Sequence, residues 1–288
     1  MLRLAMTTRA ETFERVREPL ADRGIEVGHV AVDERTVPLA DSPFGEYDVG
    51  WVYPGRIAEG GVADALLDVP WVNGREAVLR SRHKGEALAR LSRAGVPVPE
   101  TVVVSSPVSE ADLRAAFERF DPPVVVKPNS TTRGTGIAKV GDADSLVGVC
   151  DYLDLIHDYR ATGDKSFLLQ SFLPEARDYR VMVLGGEYAG AVERRLPADA
   201  LAEGRWKHNV HRGAEARGVS LSDEHRVLVE RAAAALGVDY LGVDLLVADG
   251  RAIVTETNAR PTVDEATKYE PGFYDDLAAL IRSRADGE

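Results

Sequence analysis

Cysteine is nearly absent from this chain of 288 residues: Cys150 stands alone, so no intramolecular disulfide can form and a reducing, cytoplasmic setting is expected. No stretch approaches the roughly 20 apolar residues of a membrane span, and the N-terminus lacks a secretory pattern, so neither a membrane nor export is expected. Lysine is scarce, with only Lys84, Lys127, Lys139, Lys165, Lys207 and Lys268, and arginine supplies the remaining positive charge. A net charge of −12 argues against nucleic acid as a partner, because such binding needs a basic face to displace counterions. An acidic, lysine-poor composition also suits a salt-rich source, where screening makes self-repulsion tolerable. Several catalytic patterns are missing as well. No Gly-x-Gly-x-x-Gly follows the first strand, no Gly-Lys-Ser/Thr opens a helix, and no Ser/His/Asp triad is visible. His208 and His211 have no carboxylate or cysteine partner at zinc-ligand spacing, and Cys150, inside Leu146 to Leu155, reads as core.

What is present is an ordinary globular composition, 44% hydrophobic and 28% charged, long enough for a sizeable core and about two domains. Strand signals at Leu2 to Thr7, Glu26 to Val32 and Asp48 to Tyr53 alternate with helix signals at Thr12 to Arg23 and Arg56 to Leu67. That order implies a parallel sheet with helices on its faces, ending near residue 75. A helix from Glu76 to Ala94 follows, stopped by Gly95 and by the extended Val96-Pro97-Val98-Pro99. The middle unit is α+β, with strands Thr101 to Val104, Val124 to Lys127 and Ile137 to Val140, and helices Ser109 to Phe120 and Ala143 to Tyr159. Strands then dominate: Phe167 to Gln170, Tyr179 to Leu184 and Glu187 to Arg194, the last two joined by Gly185-Gly186. A polar segment, Asp199 to Gly218, precedes a helix from Ser222 to Leu236.

The segment Leu241 to Asp264 organises the chemistry. Its two apolar runs flank a turn signal at Asp249-Gly250, and they carry Asp244, Glu256 and Asn258. Three oxygen-bearing side chains are costly in such a segment unless something pairs with them, and a hard cation would pair with all three. A two-residue loop would pair Ala248 with Arg251 and set Asp244 and Glu256 on opposite faces. A three-residue loop with Gly250 left-handed pairs Val247 with Arg251 and sets them diagonally on one face; this second register is the expectation. The competing reading is a hairpin with scattered surface acids.

Three further features bear on function. The loop Pro128 to Gly136, which contains Ser130, Gly134 and Gly136, follows Lys127 at the end of an apolar strand; it suits a phosphate cradle, or else an ordinary flexible hairpin. Leu168 to Leu173 passes between units and offers backbone groups to a base from Gln170, Ser171, Phe172 and Leu173, or serves as a plain linker. Asp178-Tyr179-Arg180 and Glu193-Arg194-Arg195 place charges at the ends of adjoining strands, where arginines would neutralise a transferring phosphoryl group or form exposed ion pairs.

Taken together, these residues resemble the ATP-grasp superfamily and, within it, the RimK-like glutamate ligases. The resemblance rests on NGREAVLRSRHKGEALARLSRAGVPVPE, VVVKPNSTTRGTGIAKV, DYRVMVLGGEYAGAVERR, the stretch from Trp206 to Leu246, and TETNARP. The most specific motif is the aspartate followed twelve residues later by Glu-x-Asn. The resemblance implies α/β plus α+β architecture: an N-terminal parallel-sheet pre-ATP-grasp domain (1–75), a subdomain with the nucleotide loop (76–170) and a subdomain with the metal site (171–288). It implies ATP contacts from Lys84, Lys127, Asp178, Lys207 and Asn209, a base-binding crossover at Ser171 to Leu173, and Mg²⁺ (or Mn²⁺) on Asp244, Glu256 and Asn258. Arg194 or Arg195 would hold an acyl phosphate. The implied reaction joins an amino acid, glutamate by resemblance, to a carboxylate acceptor, and a homo-oligomer is compatible with it. The sequence departs from the family at His83, Thr131, Ser171 and Thr262, the last on the acceptor side. A phosphotransferase with a hydroxyl acceptor and a nucleotide-binding protein without turnover are the competing functions.

Overall fold

A computed structural model describes residues 1–8, 11–131, 135–156, 164–208, 210, 213–265 and 268–287 of the chain. In chain order the elements are β1 (Leu2–Met6), α1 (Glu11–Ala21), β2 (Ile25–His29), β3 (Val49–Trp51), α2 (Ile57–Leu67), α3 (Arg75–Arg82), α4 (Lys84–Arg93), β4 (Thr101–Ser105), α5 (Glu110–Phe117), β5 (Val124–Pro128), β6 (Ala138–Val140) and α6 (Ala143–Ile156). There follow β7 (Ser166–Ser171), β8 (Arg177–Leu184), β9 (Glu187–Arg195), α7 (Ala198–Ala202), β10 (Glu215–Val219), α8 (Asp223–Leu236), β11 (Tyr240–Ala248), β12 (Arg251–Asn258) and α9 (Phe273–Ala285).

The strands build three sheets: a parallel one in the order β2-β1-β3, an antiparallel one in the order β4-β7-β5-β6, and a five-stranded antiparallel one in the order β10-β9-β8-β11-β12. The parallel sheet follows from the strand-helix alternation of the first 75 residues. Its core of Leu4, Met6, Val16, Leu20 and Trp51 is continuous with Phe273, Leu277 and Ile281 of α9 and with Tyr240. The four-stranded sheet buries Val124, Val126, Phe167 and Leu169 against Leu113, Phe117, Leu146 and Leu153 of α5 and α6. One face of the five-stranded sheet, with Tyr179, Val181, Leu241, Val243 and Leu245, packs on α8 and α4. Strand alternation therefore turns Asp178, Arg180, Arg194 and Asp244 to the other face.

Several expectations are corrected. The single helix expected from Glu76 to Ala94 is two helices, broken at His83, whose ψ is 95°. The break is tertiary in origin: Lys84 N donates to the Asn129 carbonyl at 3.1 Å, and Gly85 N donates to Asn129 Oδ1 at 2.8 Å, so the loop after β5 caps α4 from outside. The polar segment from Asp199 contains α7 and β10, and a C-terminal helix, α9, was not anticipated. Ser222 stands at the N-cap position of α8 but makes no side-chain cap bond. The end of the helix expected to reach Tyr159 lies outside the described residues beyond Ile156. Gly185 and Gly186 make the expected two-residue turn, with φ of 61° and 87° between the paired Leu184 and Glu187.

The register of β11 and β12 is also corrected. Ala248 pairs with Arg251, and Asp249 and Gly250 have φ of 51° and 73°, the double left-handed conformation of a two-residue loop. Asp244 and Glu256 nevertheless share a face. A bulge lets Leu245 pair with Val254 and Asp244 with Glu256, so Thr255 is the extra residue and every side chain beyond it changes face.

Candidate active site

The bulge does more than restore the register. Val254 N donates to the Pro97 carbonyl at 2.9 Å, tying β12 to the extended segment before β4. Thr255 Oγ1 donates to the Asp244 carbonyl at 3.2 Å, and the Thr255 carbonyl accepts from Lys127 Nζ at 3.4 Å. Lys127 sits where alternation along β5 sends it away from the valine-packed face and toward β12. Lys84, in the first turn of α4, comes to the same place: its Nζ donates to the Thr131 carbonyl and lies 3.5 Å from Glu256 Oε1. Each lysine is only 4% exposed, a rare condition for ammonium groups. Burial draws the pKa of Lys127 down to about 8; Glu256 opposes that fall, whereas the charge of Lys84 adds to it.

Across the sheet face, Arg180 Nε and Nη2 clasp the Asp244 carboxylate, and Arg194 Nη2 reaches the same carboxylate at 3.3 Å. Arg194 also donates twice to Asp178 Oδ1, at 2.9 and 2.5 Å, and His208 Nδ1 lies 3.5 Å from Asp178 Oδ2. Burial alone would raise the Asp244 pKa, but Arg180 and Arg194 hold it below the usual carboxylate range. Burial works equally against charge on Arg194, yet Asp244 and Asp178 outweigh it and raise its pKa. Asn258 shares the face of Glu256, two pairs along the ladder opposite Gly242, and its Oδ1 accepts from Arg260 N at 2.9 Å. Among the described residues no three His, Cys, Asp or Glu side chains gather into a metal cluster. The hairpin offers two carboxylates and one carboxamide instead.

A second cluster borders the first. Phe172, just past β7, meets Trp206 edge to face at 5.8 Å, and Lys139 Nζ stands 4.6 Å from the Phe172 ring centre and 5.5 Å from that of Trp206. Lys207 Nζ donates to the Ile137 carbonyl. Gln170 is buried and donates to Thr101 Oγ1 at 2.9 Å, while Ser171 is tied to the Glu100 carbonyl by both N (3.0 Å) and Oγ (3.2 Å); Leu173 is half-buried. The strand β7 is thus fixed at its exit, leaving Phe172 to edge the space beside Trp206. In the glycine loop, Ser130 donates to Asp164, and Gly136 has φ +75° with Pro128 Cγ 2.8 Å from where a Cβ would stand, so only glycine fits there. Gly134 and Asn209 lie outside the described residues.

The structure therefore gathers Lys84, Lys127, Asp178, Arg194, Asp244, Glu256 and Asn258 into one site, with Phe172 and Lys207 beside it. Arg195 is left out: alternation along β9 turns it away from Arg194, and it is 73% exposed, 3.6 Å from Glu193. Sequence reasoning had Arg180 among the charged strand ends without a place in the site. Trp206 and Lys139 were missed, although an aromatic beside Lys207 and a lysine closing the glycine loop were signals available in the sequence.

Three sheets arranged in this way, with the nucleotide-type loop on one and the acidic hairpin on another, make an ATP-grasp fold. The RimK-like ATP-grasp domain model matches residues 81–274, and the chain belongs to that family. A probable alpha-L-glutamate ligase of Klebsiella pneumoniae is 32% identical over 195 residues, 67% of this chain and 60% of that protein. The chain thus spans about 60% of the length of that curated relative. Among solved structures, a RimK domain ATP-grasp protein from Sphaerobacter thermophilus superposes with a TM-score of 0.66 at 24% identity, covering 99% of this chain and 98% of that one. The D-alanine–D-alanine ligase of Bacillus anthracis, solved in complex with ATP, gives 0.68 at 16% identity, covering 100% and 98%. These two likenesses bear on the fold.

Proposed function

We propose that the chain is an ATP-dependent carboxylate–amine ligase that adds glutamate, or a similar amino acid, to a carboxylate acceptor. One observation carries the reading: two buried ammonium groups, Lys84 and Lys127, converge on a hairpin whose facing strands present Asp244, Glu256 and Asn258. Two buried cations so close together are unfavourable unless a polyanion joins them, and a nucleotide's phosphates are such a polyanion. The donor set fits Mg²⁺, which takes oxygen ligands and only one or two carboxylates when phosphates complete its shell. Asp244, Glu256 and Asn258 would hold that ion, and Mn²⁺ suits the same oxygens. Bound there, the metal would supply charge neutralisation at the phosphates.

In the reaction, an acceptor carboxylate oxygen attacks the γ-phosphorus of ATP, the bond to the β-phosphate oxygen breaks, and ADP leaves an acyl phosphate. A neutral amine then attacks the acyl carbon, and phosphate departs to leave an amide. Lys84 and Lys127 hold the phosphates, and Arg194 and Arg180 offset the charge that collects on the transferring group. Asp178 and Lys207 border the nucleotide, with the base beside Phe172, Leu173 and Trp206. No side-chain nucleophile is needed. The Ser130 to Gly136 loop would cover the acyl phosphate, because water would otherwise hydrolyse it. The names of the curated relatives support glutamate as the amine, and the fold supports ATP.

The test is phosphate release from Mg-ATP with each amino acid in turn and a small-metabolite extract as acceptor source, with Asp244→Asn as control. Release that depends on one amino acid and vanishes in the control supports the ligase. A phosphorylated product without free phosphate would replace it with a phosphotransferase, and failure to bind Mg-ATP at all would overturn it.

A further inference from the structure

Beside the lysine and hairpin residues, two guanidinium groups meet where, among the described residues, no carboxylate forms an ion pair with either. Arg82 ends α3, two residues before Lys84, and its Nη2 donates to the Gly55 carbonyl at 2.8 Å. Arg260 lies two residues past Asn258, and its Nη1 lies 2.9 Å from where a Cβ on Gly55 would stand. Both arginines thus touch the same glycine of the N-terminal unit, one on its carbonyl and the other over its Cα. Arg260 Nε is buried without a hydrogen-bond partner. The charge of Arg82 acts against that of Arg260, and Asp33 is the carboxylate that partly offsets it. Among the described residues, no carboxylate forms an ion pair with either group. Elsewhere in the site every arginine has an acid: Arg180 and Arg194 share Asp244, and Arg194 also holds Asp178.

A buried donor with no acceptor and two like charges in contact with one residue are each unfavourable, and in a chain of net charge −12 acids were available to relieve them. Guanidinium groups present planar forks that match the oxygens of carboxylate and phosphate. We propose that Arg82 and Arg260, backed by Gly55, form a subsite for an oxyanion carried by the substrate, separate from the carboxylate that is activated. The ligase reading is its premise, and it narrows that reading to substrates bearing a second anionic group. The position fits: Arg82 is reached along the chain from Lys84 and Arg260 from Asn258, on the side of the site closed by the N-terminal unit. An anion there would bridge that unit to the hairpin.

The full chain would be saturated with Mg²⁺ and a non-hydrolysable ATP analogue, which fills the phosphate positions at Lys84 and Lys127. Binding of glutarate and of inorganic phosphate would then be measured by calorimetry in the wild type, Arg82→Gln, Arg260→Gln and Gly55→Ala. The last variant keeps both charges but forces the Arg260 guanidinium to move. Binding of either probe in the wild type, weakened about ten- to a hundredfold by each arginine substitution and measurably by Gly55→Ala, supports the subsite; the tighter probe identifies the anion as carboxylate or phosphate. No binding of either probe to the analogue-loaded wild type, or binding indifferent to all three variants, overturns it. If the ATP analogue itself fails to bind, the failure belongs to the ligase reading.

Discussion

Lys127 offers the sharpest test of how the site is built. Its ammonium is buried, and its pKa falls from 10.5 to about 8 in the folded chain, chiefly through desolvation. A lysine with a lowered folded pKa works against the fold while it is charged in both states. Below about pH 8 both folded and unfolded chains hold the proton, and the full cost applies; at about 1.4 kcal/mol per unit it comes to roughly 3 kcal/mol. Between pH 8 and 10.5 the folded state gives up the proton that the unfolded state keeps, so stability rises with pH and the cost disappears. Replacing Lys127 with methionine preserves the length of the side chain and removes the charge. It forfeits only the long contact with the Thr255 carbonyl, worth about 1 kcal/mol or less. Lys127→Met should therefore stabilise the ligand-free chain by about 2 kcal/mol at pH 7. That advantage should shrink toward zero, then reverse slightly, as pH approaches 10.5. Urea unfolding of both proteins at pH 7, 8.5 and 10 reads the difference, and other titrating groups cancel in the comparison. The same variant should lose the thermal stabilisation that Mg-ATP gives the wild type. A variant less stable than wild type at pH 7 would refute the reasoning, because it would mean that Glu256 and Asp244 already compensate the buried charge.

Arg194→Ala leaves the buried Asp178 and Asp244 with one cation fewer and should cost about 3 kcal/mol in urea unfolding at pH 7. The Asp244 contribution is present above its unfolded pKa and lost as pH falls through its depressed folded pKa; without Arg194 that folded pKa rises, so the variant should lose stability at a higher pH on acidification. Arg195→Ala, on the opposite face and mostly exposed, should stay within about 0.5 kcal/mol and leave ATP affinity unchanged, whereas a tenfold loss of affinity would return Arg195 to the site. Chelation of divalent metal with EDTA should abolish the shift in Tm produced by ATP, as should Asp244→Asn; a shift that survives both would remove the hairpin from metal binding.

The parts of this molecule that were legible in its sequence are those specified locally. Alternation of strand and helix gave the parallel sheet, and adjacent glycines gave the turn at Gly185-Gly186. The hairpin that carries Asp244, Glu256 and Asn258 was read from three oxygen-bearing side chains in apolar runs. Its register was misread because Asp-Gly serves both a two-residue loop and a three-residue loop. The deciding feature, the extra residue Thr255, leaves no mark in the pattern Val-Thr-Glu-Thr. The break at His83 was equally invisible, since its cause is Asn129, more than forty residues away. The strand Glu215–Val219 is a polar edge held by pairing with β9, so its composition resembles a loop. Arg260 reads as an ordinary loop arginine until the structure shows its Nε buried beside Gly55. In each case the missing information was a partner distant in the chain.

The charge balance of the site explains why its acids and bases occupy each other. Four cationic side chains, Lys84, Lys127, Arg180 and Arg194, meet three carboxylates, Asp178, Asp244 and Glu256. The excess is positive, so a divalent cation arriving alone would increase it, and would have to displace Arg180 and Arg194 from Asp244 with no new partner for them. A nucleotide's phosphates change that balance: they carry negative charge to the lysines and supply acceptors for the arginines that leave Asp244. The complex of metal and nucleotide is itself an anion, and it brings the site from excess positive charge toward neutrality. A metal held by the hairpin would therefore be coupled to the nucleotide through ordinary electrostatics, with no conformational signal required. Arg180 and Arg194, which hold Asp244, are the groups that this exchange would release toward the transferring phosphate.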